Sequence, residues 1–363
     1  MEKGKKSIKN LVIFILLIGL TFYILFKDKN LDDIFKVLFT VNLKYVIIAI
    51  ICMCGYVTCE SFNIQRNLKI LGEKVTLIRS IKYTLINLFF SAITPSSTGG
   101  QPMELYYMYK DNIKGSSSSL VILMQLCGFQ IVTIMYAIIS IFFNYKYMNG
   151  TLIGLFILGL VINGSALAIL LIAIFSKRLS NALIKLAVKF LKFFKIKNVE
   201  EKQQSLEIGL TSYQGSAEYI KKHKLVMLQT VVVACLQILF YYSVPYWVYH
   251  SFGLSDASFL QIFTMQAVLY TTTAGLPLPG AVGASEGSFL VMFRKYFSED
   301  TINSAMLLSR GISFYLLVII SGIVVIVNVL KNKKHIEVEK INEEKNENDE
   351  EKRENSKCVE QKY

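Results

Sequence analysis

Two interrupted apolar stretches decide how this chain folds: ITPSSTGGQPMELYYMYK at residues 93–110 and GLPLPGAVGASEGSFLVMFRK at residues 275–295. Each interrupts a hydrophobic run with proline and glycine, which disfavour a continuous helix. Four of the chain's five prolines lie in these two stretches. Because crossing a hydrocarbon layer takes about 20 helical residues, the short apolar pieces on either side cannot span it. The pattern predicts two helical hairpins that enter a membrane and turn back.

Proline and glycine residues are expected to shape the two hairpin tips. Glycine lets a backbone approach a ligand closely. Backbone groups without helical partners are costly in hydrocarbon, so such loops persist only inside protein or beside a wet cavity. The two tips are therefore predicted to meet at a polar cavity. The residues assigned to the interruptions are Pro95, Gly99, Gly100, Pro102, Pro277, Pro279, Gly280 and Gly283.

The rest of the chain has the composition of a multi-pass membrane protein. Of its 363 residues, 53% are hydrophobic and 18% are charged, which excludes an ordinary soluble enzyme. The predicted fold class is all-α, with six full spans plus two re-entrant helical hairpins. The six predicted spans are Leu11–Phe26, Leu43–Cys59, Leu120–Phe143, Thr151–Phe175, Leu225–Phe252 and Ala305–Leu330.

The distribution of basic residues predicts the orientation in the membrane. Outside the spans and the distal tail, Lys and Arg divide 25 to 7 between the two sides. The positive-inside rule places the richer side, with both termini, in the cytoplasm. The net charge of +13 suits an anionic lipid leaflet and requires no nucleic acid partner. In this orientation, residues of about 43–143 and 225–330 form inverted repeats, each a long helix, a hairpin and another long helix.

Two further segments differ in character from the spans. Residues 177–197 have a basic face opposite Leu and Phe, which predicts an interfacial helix on the anionic leaflet or a surface helix packed on the protein's own loops. Residues 331–363 are predicted to be a charged cytoplasmic tail, disordered or frayed-helical from Lys340 onward, beyond a single transmembrane domain at 1–330. No Walker-type phosphate-binding motif occurs, and the cysteines in apolar helices are read as small hydrophobic residues. We therefore predict no catalytic residues, no metal and no cofactor.

Two acidic residues occupy matching places in the quoted stretches. Glu104 follows Pro95 by nine residues, and Glu286 follows Pro277 by nine residues. Each is predicted near the N-terminus of a returning half-helix, where the helix dipole stabilises a carboxylate. Each is then either a cavity residue or a helix cap. Paired interruptions in two oppositely oriented halves are the sequence signature of a transport site.

Arg310 is a charged residue within the last predicted span. A charge at membrane depth costs about 2.5–3.5 kcal/mol on insertion scales, so it needs a partner or a function. Either Arg310 faces the cavity, where it binds a lipid phosphate or pairs with Glu286, or it snorkels to exterior headgroups. Gln101 and Ser285 complete the predicted headgroup cavity. Five glutamines either line it or form interhelical hydrogen bonds: Gln125, Gln130, Gln237, Gln261 and Gln266.

The two stretches, with Arg310 downstream, resemble the paired motifs of the lysylphosphatidylglycerol synthase transmembrane family. This is the flippase-like membrane module at the N-terminus of multiple peptide resistance factor. The resemblance covers roughly residues 8–331, and its more specific motif is P-x-P-G-x-x-G-x-x-E in the second stretch. Family members often carry an acidic residue directly after the glycine pair, where this chain has Gln101.

The resemblance implies a lipid translocase that moves aminoacylated phosphatidylglycerol, such as lysylphosphatidylglycerol, across the plasma membrane of a bacterium. This activity lowers the negative charge of the membrane surface and so weakens the binding of cationic antimicrobial peptides. In that reading, Arg310 and backbone amides hold the lipid phosphate. Glu104 and Glu286 hold a cationic amine or exchange protons.

Two other functions stay open on the same resemblance. Full-length members transfer lysine from lysyl-tRNA to phosphatidylglycerol in a cytoplasmic domain, and the 33 residues after Leu330 are too few to bury such a core. Phosphatidylglycerol lysyltransferase activity, intrinsic or with a separate synthase as partner, is therefore the alternative. A lipid-binding scaffold without turnover is the third, and a homo-oligomer is left open.

Overall fold

The computed structural model describes residues 41–144, 148, 150–175, 182, 218, 221–274, 276 and 278–330. Throughout these residues the chain is helical, with nine α-helices and no strand. The helices are α1 (Leu43–Ile70), α2 (Leu77–Ile93), α3 (Gly100–Lys110), α4 (Gly115–Asn144), α5 (Gly150–Phe175), α6 (Lys224–Ser251), α7 (Phe259–Thr273), α8 (Ala284–Met292) and α9 (Glu299–Leu330).

Five of these helices, α1, α4, α5, α6 and α9, are long and apolar enough to cross a membrane. They coincide with five of the six predicted spans, so the all-α fold class is confirmed. The first predicted span at 11–26, the interfacial helix at 177–197 and the tail at 331–363 lie outside the described residues. Six spans with two hairpins inside the membrane therefore stay a prediction.

The predicted span Leu43–Cys59 is too short, because α1 continues to Ile70. Its polar second half is buried against α6 and is hydrogen-bonded there. Asn63 Nδ2 donates to the backbone oxygen of Thr230 at 3.1 Å, and Asn67 Nδ2 donates to Thr230 Oγ1 at 3.2 Å. Because these hydrogen bonds give the buried amide groups partners on α6, the helix does not end where the apolar run ends.

Helices α1 and α6 pack against each other in antiparallel fashion. At one end, the Asn42 backbone N–H donates to the Ser251 carbonyl at 2.8 Å. At the other end, Arg66 Nη2 donates to the Val226 carbonyl at 3.1 Å. Each helix has 28 residues. The start of one helix therefore lies beside the end of the other, as an inverted repeat requires.

The same succession of elements occurs twice along the chain. Helices α1 to α4 begin at residues 43, 77, 100 and 115, and helices α6 to α9 begin at 224, 259, 284 and 299. The intervals agree within two residues, and the longest difference falls inside the interrupted stretch. The two units thus share one architecture, with two extra residues between the starts of α7 and α8.

Each unit contains a helical hairpin. Hairpin 1 is α2, the first break (residues 94–99) and α3; hairpin 2 is α7, the second break (residues 274–283, of which 275 and 277 lie outside the described residues) and α8. In each break a short 3₁₀ turn begins with proline, at Pro95–Ser97 and Pro279–Ala281, and these two turns contact each other. The predicted meeting of the two tips is therefore observed.

Two residues predicted to belong to the interruption instead begin a helix. Gly100 is the first residue of α3 and Pro102 is its third. Proline is tolerated there because the first N–H groups of a helix have no intrahelical acceptor. Gly100 also has to be small, since an added Cβ would collide with Asn87 and Ser91 of α2. This close approach sets how tightly hairpin 1 closes.

Helix α5 belongs to neither repeat and packs against α4 of the first and α7 of the second. Its crossing with α7 is tight at Gly159, where an added Cβ would collide with the Thr271 carbonyl. Helix α5 thus packs against one helix of each unit, beside the breaks.

Candidate functional site

The two breaks share an uncommon backbone conformation. Ser96 and Ser97 have φ values of 50° and 55°, and Gly280 and Ala281 have φ values of 56° and 51°. This left-handed region is unfavourable for residues with a side chain and is concentrated at functional sites in proteins. At Gly280 there is a further requirement, because an added Cβ would collide with the ring of Phe314. The same turn conformation therefore occurs in both breaks, and in the second break the ring of Phe314 packs against the turn.

A cavity of about 620 Å³ lies between the two breaks. It is bounded by α4, α5 and α9 near the middle of each helix, at residues 126–130, 163–170 and 310–318. The cavity is therefore at the central depth of three candidate spans. Its lining side chains include Gln101, Gln130, Asn163, Tyr241, Tyr270 and Ser285, and among the described lining residues Arg310 carries the charge.

Part of the exposed rim of the cavity is apolar, beside the exposed Ser96, Ser97 and Thr98 of the first break. Ile169 of α5 and Leu278 of the second break both line the cavity, and they are 62% and 41% exposed. Exposed aliphatic residues at this depth are typical of a surface that faces lipid chains. The cavity thus combines a polar interior with an apolar outer edge.

Arg310 is fixed inside the protein. It is the twelfth residue of the 32-residue α9 and is 8% exposed. Its Nε donates to Glu286 Oε1 at 3.3 Å, and its Nη2 donates to the Gly280 carbonyl at 3.1 Å. The guanidinium also lies 4.3 Å from the ring centroid of Phe314. This buried arrangement matches the predicted pairing with Glu286 and does not match snorkelling.

A π-helical turn at Gly311–Tyr315 directly follows Arg310. Such turns are rare and often occur at functional sites. Tyr315, at the end of this turn, donates its hydroxyl hydrogen to Glu286 Oε1 at 2.9 Å. Arg310 and Tyr315 thus reach the same carboxylate oxygen from one helix.

Glu286 is both a helix cap and the partner of Arg310. It is the third residue of α8, and its Oε2 accepts the Gly283 backbone N–H at 2.5 Å. The side chain is buried at 4% exposure and is not among the residues that line the cavity. The helix-cap interpretation of Glu286 therefore applies, whereas its predicted place in the cavity lining is wrong, and it affects the cavity only through its pairing with Arg310.

Glu104 is not the structural counterpart of Glu286. It is the fifth residue of α3, whereas Glu286 is the third residue of α8, because the second hairpin has two more residues between the starts of its two helices. It is 3% exposed and is not among the cavity-lining residues. The residues that do correspond are Gln101 and Ser285, each the second residue of its helix, and both line the cavity.

Glu60 is a buried acid that the sequence analysis missed. It lies within α1 at 6% exposure. Oε2 accepts from Gln237 Nε2 at 3.1 Å and Oε1 accepts from Asn87 Nδ2 at 3.4 Å. Gln125 Nε2 donates to the Glu60 backbone oxygen at 3.1 Å. The signal that could have revealed Glu60 is an ionisable residue following a long apolar run without a turn residue.

The predicted glutamines divide between the two roles that were considered. Gln125 and Gln237 form interhelical hydrogen bonds, whereas Gln130 lines the cavity. Gln261 caps the start of α7 through Ser258, and Gln266 is buried. Across the residues that the structure describes, no three His, Cys, Asp or Glu side chains lie together as metal ligands would.

Comparisons with known proteins agree on the type of protein. The family model for the lysylphosphatidylglycerol synthase TM region matches residues 8–321. The chain is 23% identical over 331 residues to a UPF0104 membrane protein of Pyrococcus horikoshii, covering 88% of this chain and 97% of the relative. It is 19% identical over 317 residues to a UPF0104 membrane protein of Archaeoglobus fulgidus, covering 85% and 94%. These matches extend over both repeats.

Proposed function

The chain belongs to the lysylphosphatidylglycerol synthase transmembrane family, a family of multi-pass membrane proteins, and from this premise we propose that it is a phospholipid translocase. The lipid headgroup would cross the membrane through the cavity between the two breaks. Aminoacylated phosphatidylglycerol is the cargo that the family suggests, with lysylphosphatidylglycerol first. The observation that carries the proposal is the buried Arg310 in a central cavity with an apolar rim.

Arg310 supports the binding of a phosphate. A guanidinium has five N–H donors, of which the contacts with Glu286 and Gly280 use two. Its planar, preorganised donors match the geometry of phosphate oxygens. Gln101 and Ser285 lie near the N-termini of α3 and α8, where helix dipoles favour an anion. A phosphate in the cavity would therefore meet both a full charge and two helix ends.

The apolar rim supports a lipid rather than a soluble anion. A phospholipid can place its headgroup in a polar cavity only if its acyl chains stay in hydrocarbon. Ile169 and Leu278 give the cavity an edge on which chains can lie. The volume of about 620 Å³ is within the usual range of about 300–1,000 Å³ for small-molecule sites.

An aminoacyl amine would meet aromatic rings in this conformation. Neither Glu104 nor Glu286 lines the cavity, whereas Tyr241 and Tyr270 do. Aromatic faces attract ammonium groups, with larger effects where water is excluded. The phosphate therefore provides the common recognition element, and the tyrosines give a place for a cationic headgroup. Rocking of one repeat against the other would change the leaflet to which the cavity opens.

Translocation by purified protein in liposomes tests the proposal. Fluorescent phosphatidylglycerol, lysylphosphatidylglycerol and phosphatidylethanolamine are each placed in the membrane, and a membrane-impermeant reductant reports the label that reaches the outer leaflet. We expect a translocation rate well above that of empty liposomes. In Arg310→Gln this rate should fall at least tenfold. The matched control is Arg294→Gln, since Arg294 is exposed and pairs with Glu299.

Two outcomes would contradict the proposal. One is translocation no faster than in empty liposomes for all three lipids, and the other is an unchanged rate in Arg310→Gln. The family name includes a synthase, so the alternative of a phosphatidylglycerol lysyltransferase is measured in parallel with lysine-charged tRNA and phosphatidylglycerol. Formation of lysylphosphatidylglycerol by the purified chain without translocation would favour that alternative.

A further inference from the structure

A buried pair of carboxylates, Glu60 and Glu104, lies beside the cavity without a role in phosphate binding. We propose that Glu104 takes up and releases a proton in each transport cycle, so that lipid translocation is coupled to proton movement. This inference rests on the proposed function and adds its energy source. It concerns residues of hairpin 1 and α1, whereas Arg310 lies in α9.

Glu104 is buried without compensation. It is 3% exposed, and within the described part of the chain it makes no hydrogen bond or ion pair. Its electrostatic neighbour is Glu60, which repels an ionised Glu104. A carboxylate with neither a cation nor a donor is strongly disfavoured in a low-dielectric interior, whereas a carboxylic acid is tolerated. The geometry therefore requires a proton on Glu104.

Glu60 is the member of the pair that suits a negative charge. Each of its carboxylate oxygens accepts one amide N–H, from Asn87 of α2 and from Gln237 of α6. Donors to both oxygens favour the ionised form. When two neighbouring carboxyl groups cannot both ionise, one is ionised and the other stays protonated. Of the two acids, Glu60 is thus the better site for a negative charge and Glu104 the better site for a proton.

The other groups that face the pair are neutral or already engaged. Tyr56 of α1 and Tyr270 of α7 face Glu60, and Tyr241 of α6 lies against those two tyrosines. Arg310 acts on Tyr241 but is paired with Glu286. Lys82 of α2 pairs with Asp111, which follows α3 at the open end of hairpin 1. No cation in the described residues neutralises the Glu60–Glu104 pair.

The location of Glu104 links its proton to movement of hairpin 1. Gln101 lines the cavity one turn before Glu104 on α3. At the start of α3, Gly100 lies tightly against Asn87, the residue that donates to Glu60. A shift of α3 along α2 therefore changes the cavity lining, the Glu60 hydrogen bond and the enclosure of Glu104 together.

The proposed proton step is simple. When the shift of α3 admits water, the Glu104 carboxylic acid transfers its proton to a water molecule, which leaves a solvated carboxylate and a hydronium ion. In the proposed cycle the carboxylate stays in contact with water while the cavity changes sides, and it takes a proton from water on the second side before the protein encloses it again. Release and uptake then occur on opposite sides of the membrane, as alternating access of the two repeats would allow.

Infrared spectroscopy tests for the proton without any transport. The purified full chain is placed in lipid nanodiscs at neutral pH, and the C=O stretch of protonated carboxyl groups is recorded. We expect this band to lose intensity in Glu104→Gln and to persist in Glu299→Gln, since Glu299 is 79% exposed at its side chain. Glutamine has the shape of the protonated acid, so Glu104→Gln should fold. A band that is unchanged in Glu104→Gln overturns the inference.

A second measurement tests the coupling. In the liposome assay, an imposed pH gradient should change the initial rate of the wild-type protein at least threefold, and the rate of Glu104→Gln should not respond. A wild-type rate that ignores the pH gradient, or follows a sodium gradient instead, overturns the coupling. If no lipid moves at all, the proposed function fails, whereas the infrared band still reports on the proton site.

Discussion

Hairpins 1 and 2 have the same backbone and different charges. Both turn at a proline-led 3₁₀ turn with φ near 50–56° at two successive residues. In hairpin 2 the buried acid, Glu286, has an arginine, a tyrosine and a backbone N–H as partners. In hairpin 1 the buried acid, Glu104, has another acid as its neighbour. A duplicated scaffold has thus kept its geometry while its two copies acquired different electrostatics.

The largest effect is expected from removal of the Glu286 carboxylate. Glu286→Ala would leave Arg310 buried without its counter-charge, which costs about 3–5 kcal/mol in comparable buried pairs. The free energy of unfolding in mild detergent, followed by circular dichroism with increasing denaturant, measures this loss. Glu299→Ala is the control, since its exposed ion pair with Arg294 should contribute less than about 1 kcal/mol. Equal losses in both variants would mean that the buried pair contributes no more to the free energy of unfolding than the exposed pair does.

An intermediate effect on the free energy of unfolding is expected from Gly280 and Ser96, the turn residues that share a left-handed conformation. Gly280→Ala brings a Cβ into the ring of Phe314, so we expect a loss of about 1–3 kcal/mol in the free energy of unfolding. Ser96→Gly at the same φ in hairpin 1 relieves strain and should be neutral or stabilising by less than about 1 kcal/mol. The same denaturant titration compares them. A destabilising Ser96→Gly together with a harmless Gly280→Ala would reverse the expected order.

The smallest effect is expected at Glu104. Glu104→Gln keeps the shape and the neutral charge of the protonated acid, so the free energy of unfolding should change by less than about 1 kcal/mol. Glu286→Gln in the same measurement should lose clearly more, because it removes the charge opposite Arg310. A large loss in Glu104→Gln would show that Glu104 is charged in the folded protein and would erase the contrast between the hairpins.

Much of this architecture can be predicted from hydrophobicity and turn chemistry. The cost of polar groups in hydrocarbon predicts the five described spans, the two interruptions and their contact, and it offers the Arg310–Glu286 pair as one of the alternatives for Arg310. Glu60 was missed because its partners, Asn87 and Gln237, lie far away in sequence. Hydrophobicity within one segment cannot reveal such donors, so the predicted span ended one residue before Glu60.

The matching of Glu104 with Glu286 failed for a local reason. The second interruption has two prolines, and counting from Pro277 gives the same interval as counting from Pro95. The 3₁₀ turn begins at Pro279, however, so the proper interval is two residues shorter. A shift of two residues on a helix rotates a side chain by about 200°, which is enough to move it from one face to another.

The tight crossing of α5 with α7 restricts the relative motion of the two halves. Because α5 also packs on α4, it contacts one helix from each repeat. The absence of a side chain at Gly159 lets α5 lie directly against the Thr271 carbonyl, and so close a contact is expected to obstruct sliding of the two helices along each other. Asn163 and Ile169 lie further along α5 and line the cavity. A rotation of α5 about the Gly159 contact would therefore displace the part of the cavity edge that α5 forms, and the position of Gly159 would set the axis of that rotation.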